Sequence, residues 1–196
     1  MTFVVVSSHF GEDLCWLKKC PWKVIVISHK GFHPQKCIQP TQVIPNKGRE
    51  ASSYLKYIVD NYDRLPDHVM FIHGHEHAWH QYHKKSLFDV VHLGDYFPLN
   101  SFWTNTDEHK EKIKKHWHVI EPWVGPQPDE LGFLDGSAQF IVSKERIRRH
   151  PKEVYKTWYH TIMTSPDDFE LAVVFEYTWH YIFGEPWRLA PFTIRT

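Results

Sequence analysis

The sequence lacks an excess of either charge: Lys plus Arg and Asp plus Glu stand at 23 each in 196 residues. Without a basic excess, counterion release has little to act on, so no nucleic-acid partner is expected. No apolar run approaches the ~18 residues of a membrane span, and the run Phe3 to Val6 is too short and lacks the basic flank of a signal peptide. Cysteine is scarce and odd in number. Cys15, Cys20 and Cys37 match no common zinc spacing and do not read as a secreted disulfide framework, which points to a reducing, cytoplasmic setting. Internal repeats, low-complexity tracts and interdomain linkers are also missing, leaving one domain over residues 1–196 with a full core. Against these absences stand 16 His and 9 Trp, residue types suited to metal or proton chemistry and to flat stacking surfaces.

The pattern predicts an α/β fold. Thr2–Ser7 reads as a strand, Glu12–Lys19 as a short amphipathic helix and Val24–Ser28 as a second strand. Residues 32–47 read as a loop, and Gly48-Arg49-Glu50 leads into a helix with Ala51, Leu55, Ile58 and Tyr62 on one face, ended by Leu65-Pro66-Asp67. His68–His75 is a third strand, with Val69, Phe71 and His73 on one side and Met70, Ile72 and Gly74 on the other. The middle is irregular except for a charged helix over Asp107–His118, whose lysines read as a solvated face. Gln139–Val142 is a strand, and Lys144–Arg149 and Pro151–Met163 are helices. In the last helix Ser165 is the expected N-cap and Pro166 the first helical residue, with Gly184 and Pro186 closing it.

Chemistry concentrates at His73-Gly-His75-Glu76-His77-Ala-Trp79-His80-Gln-Tyr-His83. Strand parity puts His73 and His75 side by side on one face, and Glu76 can turn toward the same point, a nitrogen and carboxylate set suited to a transition metal. The plain alternative is a row of surface histidines beside a buried Trp. A zincin helix needs His-Glu-x-x-His, and here the next His after His75-Glu76 falls one place late at His80. The end motif of calcineurin-like phosphoesterases fits Gly74-His-Glu-His77, but Gly94-Asp95 then follows in the wrong order. On the last helix Glu176 and His180 are four apart and share a face, either as base and ligand turned toward the histidines or as an ordinary polar pair. Gly48 before a helix start exposes amide donors to an anionic ligand, or is simply part of a helix cap.

Six motifs in order carry a resemblance. They are Glu12-Asp13-x-x-Trp16-Leu17; Asn46-x-Gly48-Arg49-Glu50-Ala51 with Tyr54-Leu55; Asn61-Tyr62-Asp63-x-Leu65-Pro66-Asp67; Phe71-x-His73 with Trp79-His80; Ala138-Gln139-Phe140-x-Val142-Ser143-x-Glu145-Arg146-Ile147; and Glu176-Tyr-x-Trp179-His180-x-Ile182-Phe183-Gly184. On these the chain resembles the family called domain of unknown function 3431, found in fungi, algae and large viruses. Fungal members often carry a Cys pair where this chain has Gly136-Ser137.

More distantly, the layout is similar to a small glycosyltransferase of the GT-A type. That resemblance implies a single-domain open mixed sheet flanked by helices, GT-A-like (Rossmann-like), and a sugar moved from a nucleotide-sugar donor to a glycan or protein acceptor. Glu12-Asp13 resembles the acidic opening of such proteins, and with Gly48 and Arg49 would hold the nucleotide on one shared cleft. His73-x-His75-Glu76 stands where an Asp-x-Asp is expected, and His180 would complete a divalent metal site. Imidazole ligands are softer than carboxylates, so Mn²⁺ is favoured over Mg²⁺. Glu176 or Asp135 would be the base for the acceptor hydroxyl, and Trp79, Trp103 or Trp179 would stack on sugar rings. Two rivals use the same residues: a metal-dependent hydrolase built on the histidines of 73–83, and a noncatalytic glycan- or protein-binding module.

Overall fold

Alternating β-branched residues need apolar cover on both sides of a sheet, and this chain supplies it with helices on one face and short turns on the other. The computed structural model describes residues 2–32, 37–77, 87–89, 94–100, 107–129 and 138–189. Its strands are β1 (Phe3–His9), β2 (Lys23–Ser28), β3 (Gln42–Val43), β4 (His68–His73), β5 (Tyr96–Pro98) and β6 (Phe140–Ser143). They form one mixed sheet in the order β3-β2-β1-β4-β6-β5, with β1 to β4 parallel and β6 antiparallel to both of its neighbours.

The helices are α1 (Arg49–Asn61), α2 (Asp107–His116), α3 (Glu121–Val124), α4 (Lys144–Ile147), α5 (Lys152–Thr164) and α6 (Asp168–Ile182). Val6, Ile27, Val69, Phe71, Phe140 and Val142 face α1, α5 and α6 in a core that includes fully buried Tyr54, Trp158, Phe175, Trp179 and Phe183. Each such side chain contributes about 1.5–3 kcal/mol by leaving water. On the other face Val5, Val26, Met70, Ile72 and Ile141 meet Leu14, Trp16, Leu17, Leu87 and Phe88. This is the α/β architecture that the pattern predicts, and no described helix is long and apolar enough to cross a membrane.

Several local expectations shift. The first helix is only a 3-10 turn, Cys15–Lys19. Strand β4 stops at His73, two residues early, and β3 and β5 lie where loops were expected. Ser165 does not cap α6. Its hydroxyl accepts from the Asp167 amide in a preceding turn, and the helix begins at Asp168, where the Leu171 amide reaches the Asp167 carbonyl. The α2 lysines do form a solvated face: Lys110, Lys112 and Lys114 pair with Asp107, Glu108 and Glu111 on the same helix.

Cys15 and Cys37 are joined in a disulfide and Cys20 is free, a pairing that the sequence spacing does not reveal. Two of the three cysteines are thus bonded where their number and spacing suggested no disulfide framework.

The start of α1 is fixed by close approach to α5. Gly48 has φ 67°, and a Cβ added there would stand 2.0 Å from Ile162 Cγ2. Left-handed backbone disfavours any larger residue by about 1–2 kcal/mol, and overpacking adds about 1–3 kcal/mol. Gly48→Ala should therefore destabilise the protein by about 3 kcal/mol in urea denaturation. Adding Ile162→Ala should return the packing part and leave the backbone part.

Candidate functional site

Strand order reverses between β1 and β4, because the chain runs outward through β2 and β3 before α1 carries it back to the other side of β1. In open α/β sheets ligands gather at such a point, outside the carboxyl ends of the strands. Here those ends deliver Ser8 and His9 from β1, Ser28 and His29 from β2, His73 from β4, and the first turn of α1 with Arg49 and Glu50.

His73 Nδ1 lies 3.0 Å from Glu50 Oε1. An ionised carboxylate can only accept, so Nδ1 carries the proton in this bond. Burial alone would raise the Glu50 pKa, but the hydrogen bond and charge of His73 outweigh it and hold the group down to about 2. The His73 amide is itself fixed. It donates to Gln139 Oε1 (3.1 Å), while Gln139 Nε2 donates to Asn100 Oδ1 (3.0 Å), so a buried side chain takes over where the β4–β6 ladder ends. Tyr54, one turn beyond Glu50 on α1, donates to the Ala138 carbonyl at 2.8 Å.

Beyond β4 the chain turns at Gly74, whose carbonyl accepts from Trp16 Nε1 at 2.9 Å. A Cβ at Gly74 would fall 2.7 Å from Glu12 Oε2, so a larger residue here would push the Glu12 carboxylate aside. Glu12 also accepts the Phe10 amide at 2.6 Å and lies 3.6 Å from His75 Nε2. Glu12 and Glu50 both pull the His29 pKa upward against burial, so both carboxylates lie within electrostatic reach of that ring.

A hydrogen-bonded chain lies below. His29 Nδ1 meets the Pro45 carbonyl at 3.0 Å, and His29 Nε2 meets Ser53 Oγ, which in turn meets Ser8 Oγ, both at 2.9 Å. A carbonyl only accepts, so the proton sits on Nδ1. Burial lowers the His29 pKa, and the neutral ring then accepts from Ser53, which accepts from Ser8. Phe10 stacks on the ring at 4.4 Å. Ser8, His9, His29 and Ser53 are missed by motif reading. The available signal was the dipeptide Ser-His closing two successive β-branched runs, Ser8-His9 and Ser28-His29.

Glu176 on α6 joins this group and His180 does not. Burial and the negative charge of Glu50 push the Glu176 pKa up to about 7, against the pull of His73 and Arg49. His180 lies one turn on, fully buried, and donates from Nε2 to the Trp187 carbonyl at 3.0 Å; burial lowers its pKa to about 4. The expected metal set is therefore not brought together: His73 is held by Glu50, His75 stands beside Glu12, Glu76 pairs with Lys19 at 3.3 Å, and His180 is in the core. Strand β4 ends before His75, so the parity argument does not reach it.

Among the described residues two donor trios lie within 4.8 Å, Asp13 with Cys15 and Cys37, and His116 with Asp167 and Glu170. The first has its sulfurs in a disulfide, and in the second Lys115 already bridges both carboxylates. Neither belongs to the crevice. Asp13 otherwise accepts the Cys15 amide at 2.9 Å and is exposed. Trp179 is in the core, while Asp135, Trp79, His80, His83 and Trp103 lie outside the described residues.

Arg49 borders the crevice with a half-exposed side chain, 3.8 Å from Glu50 and with Cζ 5.1 Å from the centre of the Phe169 ring. Its φ of 47° is left-handed, a rare conformation for a non-glycine residue. Just before it, the Gly48 amide donates to Asp168 Oδ2 at 2.8 Å.

Glu12, Trp16, Gly48, Arg49, Glu50, Tyr54, His73, Gln139 and Glu176 of this region lie in the six motifs. The chain belongs to the family described as protein of unknown function (DUF3431). That family's model matches residues 4–94 and 90–193. No curated protein and no solved structure matches the chain. For this family member the motifs resolve into parts: Trp16 and Gln139 fix the end of β4, Gly48 fixes the start of α1, and Glu50 holds His73 with Glu176 within electrostatic reach of both.

The two half-buried glutamates give opposite pH signatures. Glu50 is depressed from 4.5 to about 2, so its contribution is present above pH 4.5 and is lost as pH falls toward 2. Glu176 is raised from 4.5 to about 7, so its contribution is present below pH 4.5 and is lost as pH rises through 7. Each shift corresponds to about 3 kcal/mol. Denaturation from pH 3 to 9 should show Glu176→Gln removing the loss between pH 4.5 and 7, and Glu50→Gln removing the acid-side loss.

Proposed function

We propose that the chain transfers a sugar from a nucleotide-sugar donor to a hydroxyl of a glycan or protein acceptor. The observation that carries this reading is the meeting of Arg49, Glu50 and His73 at the carboxyl end of the sheet, with Glu50 Oε1 3.0 Å from His73 Nδ1 and Glu176 within electrostatic reach, the pKa of Glu50 held down and that of Glu176 pushed up. Groups separated in this way are how one site keeps a fixed charge and a movable proton near neutral pH. Glu176 acts as general base on the acceptor hydroxyl, its pKa matched to the working pH. Glu50 stays ionised and holds the His73 ring. Arg49, half exposed at the start of α1, receives the leaving diphosphate through its guanidinium. The expected Mn²⁺ has no part in the proposal, because the four residues offered as its ligands point to different partners.

A second reading, hydrolysis with water in place of the acceptor, is favoured by the same carboxylates if Glu176 works as an acid. It needs no metal on the histidines. The pH profile separates the two. With UDP- and GDP-sugars as donors, a base role requires kcat to rise with pH and level off above about 7, and an acid role requires it to fall there. Glu176→Gln should keep the fold and abolish turnover, while Arg49→Ala should raise KM for the donor more than it lowers kcat. Donor turnover in Glu176→Gln at the wild-type rate, or no thermal shift with any nucleotide sugar, would overturn the proposal.

A further inference from the structure

At the opposite end of the sheet α1 covers β1 but leaves the same face of β2 open, since β3 is only two residues long and no described helix crosses that edge. The result is a cavity of about 710 Å³ between β2 and the C-terminal half of α1. Its floor is apolar, with Val4, Ile25 and Ile27 from the strands and the Tyr57 ring from the helix. Its rim carries Lys23 and Arg64, and neither side chain makes an ion pair or hydrogen bond among the described residues. Asp60 also lines it, but its charge is answered by Lys56 at 2.8 Å. Tyr57 is a buried residue whose hydroxyl has no hydrogen-bond partner among the described residues. Burial pushes its pKa up to about 12, with Arg64 pulling the other way, so the hydroxyl keeps its proton and lies within electrostatic reach of that guanidinium.

We propose that this cavity is a binding site for a small amphiphilic anion, with an aliphatic or aromatic body on Val4, Ile25 and Ile27 and a carboxylate-type head held by Arg64, Lys23 and the Tyr57 hydroxyl. The size suits one small molecule, since ligand pockets run about 300–1,000 Å³. The lining is as polar as it is apolar, with Thr41, Gln42 and Asn61 beside the two cations, which suits a ligand that carries both an apolar body and a charged head, and a guanidinium meets a planar carboxylate with two parallel hydrogen bonds. The two cations also distinguish this cavity from the crevice at the other end of α1, where the groups facing the open space are mainly carboxylates and imidazoles. The site is independent of the proposed sugar transfer.

The probe is 8-anilinonaphthalene-1-sulfonate, an amphiphilic anion whose fluorescence rises in apolar surroundings, with octanoate as competitor and octan-1-ol as its neutral counterpart. The full chain should bind the probe saturably at one site, and octanoate should displace it where octan-1-ol does not. Arg64→Glu and Lys23→Glu, both exposed and distant from the core, should each weaken probe and octanoate by about tenfold, the worth of one charge-assisted hydrogen bond. Tyr57→Phe should weaken octanoate less. Ile25→Trp should fill the floor and remove binding, and its thermal midpoint checks that it folds. Glu176→Gln should bind as wild type does. Unchanged affinity in both charge variants, equal displacement by octan-1-ol, or absence of saturable binding would overturn the proposal.

Discussion

The contact between Glu50 and His73 ties the first turn of the helix that crosses the sheet to the last residue of its central strand, and the crevice takes its shape from that tie. An isolated buried carboxylate is costly, and removing one member of a buried pair strands the other. The pair is therefore kept by what surrounds it. Gly48 allows α1 to begin against α5, and Gln139 completes the hydrogen bonding of the His73 amide. Tyr54 locks the next turn of α1 to the start of β6. These contacts join residues far apart in sequence, and each fixes backbone and not merely a side chain.

The same tie orders the charges. A negative Glu50 beside a second half-buried carboxylate makes ionisation of Glu176 harder, while His73 and Arg49 keep that cost from growing without limit. One carboxylate is held ionised by an imidazole and its neighbour is held near neutrality by burial. The arrangement needs both glutamates in one low-dielectric place, which the α1 and α6 packing provides.

The strands and long helices were legible because their periodicity reflects burial directly: Val4, Val6, Val69 and Phe71 alternate as the two-faced sheet demands. Arg49 and Glu176 stand out in the sequence by their place at a helix start and on a helix face, whereas Glu50 reads there only as part of the start of a helix. The metal set was not, because parity assumes that the strand continues, and β4 ends at His73 where Gly74 accommodates Glu12. His180 shows a similar limit. Helical spacing places it one turn from Glu176, but only the fold of the segment reaching Trp187 decides that its ring is enclosed. The serine and histidine chain from Ser8 to Pro45 depends on strand register, β1 beside β2, which no local pattern contains.

The disulfide bears on the same crevice from the thin side of the sheet. Cys15 follows Glu12 and Asp13, and Cys37 follows His29, so the bond links the connection leaving β1 to the one leaving β2. With the cysteines 22 positions apart in sequence, closing this loop removes unfolded-state freedom equal to about 3 kcal/mol in the chain-entropy account. The helical face is already fixed by aromatic packing, whereas the opposite face is held by short turns and one small cluster. A covalent link is therefore placed where packing alone does least, and it limits the spread of the two segments that carry Glu12 and His29.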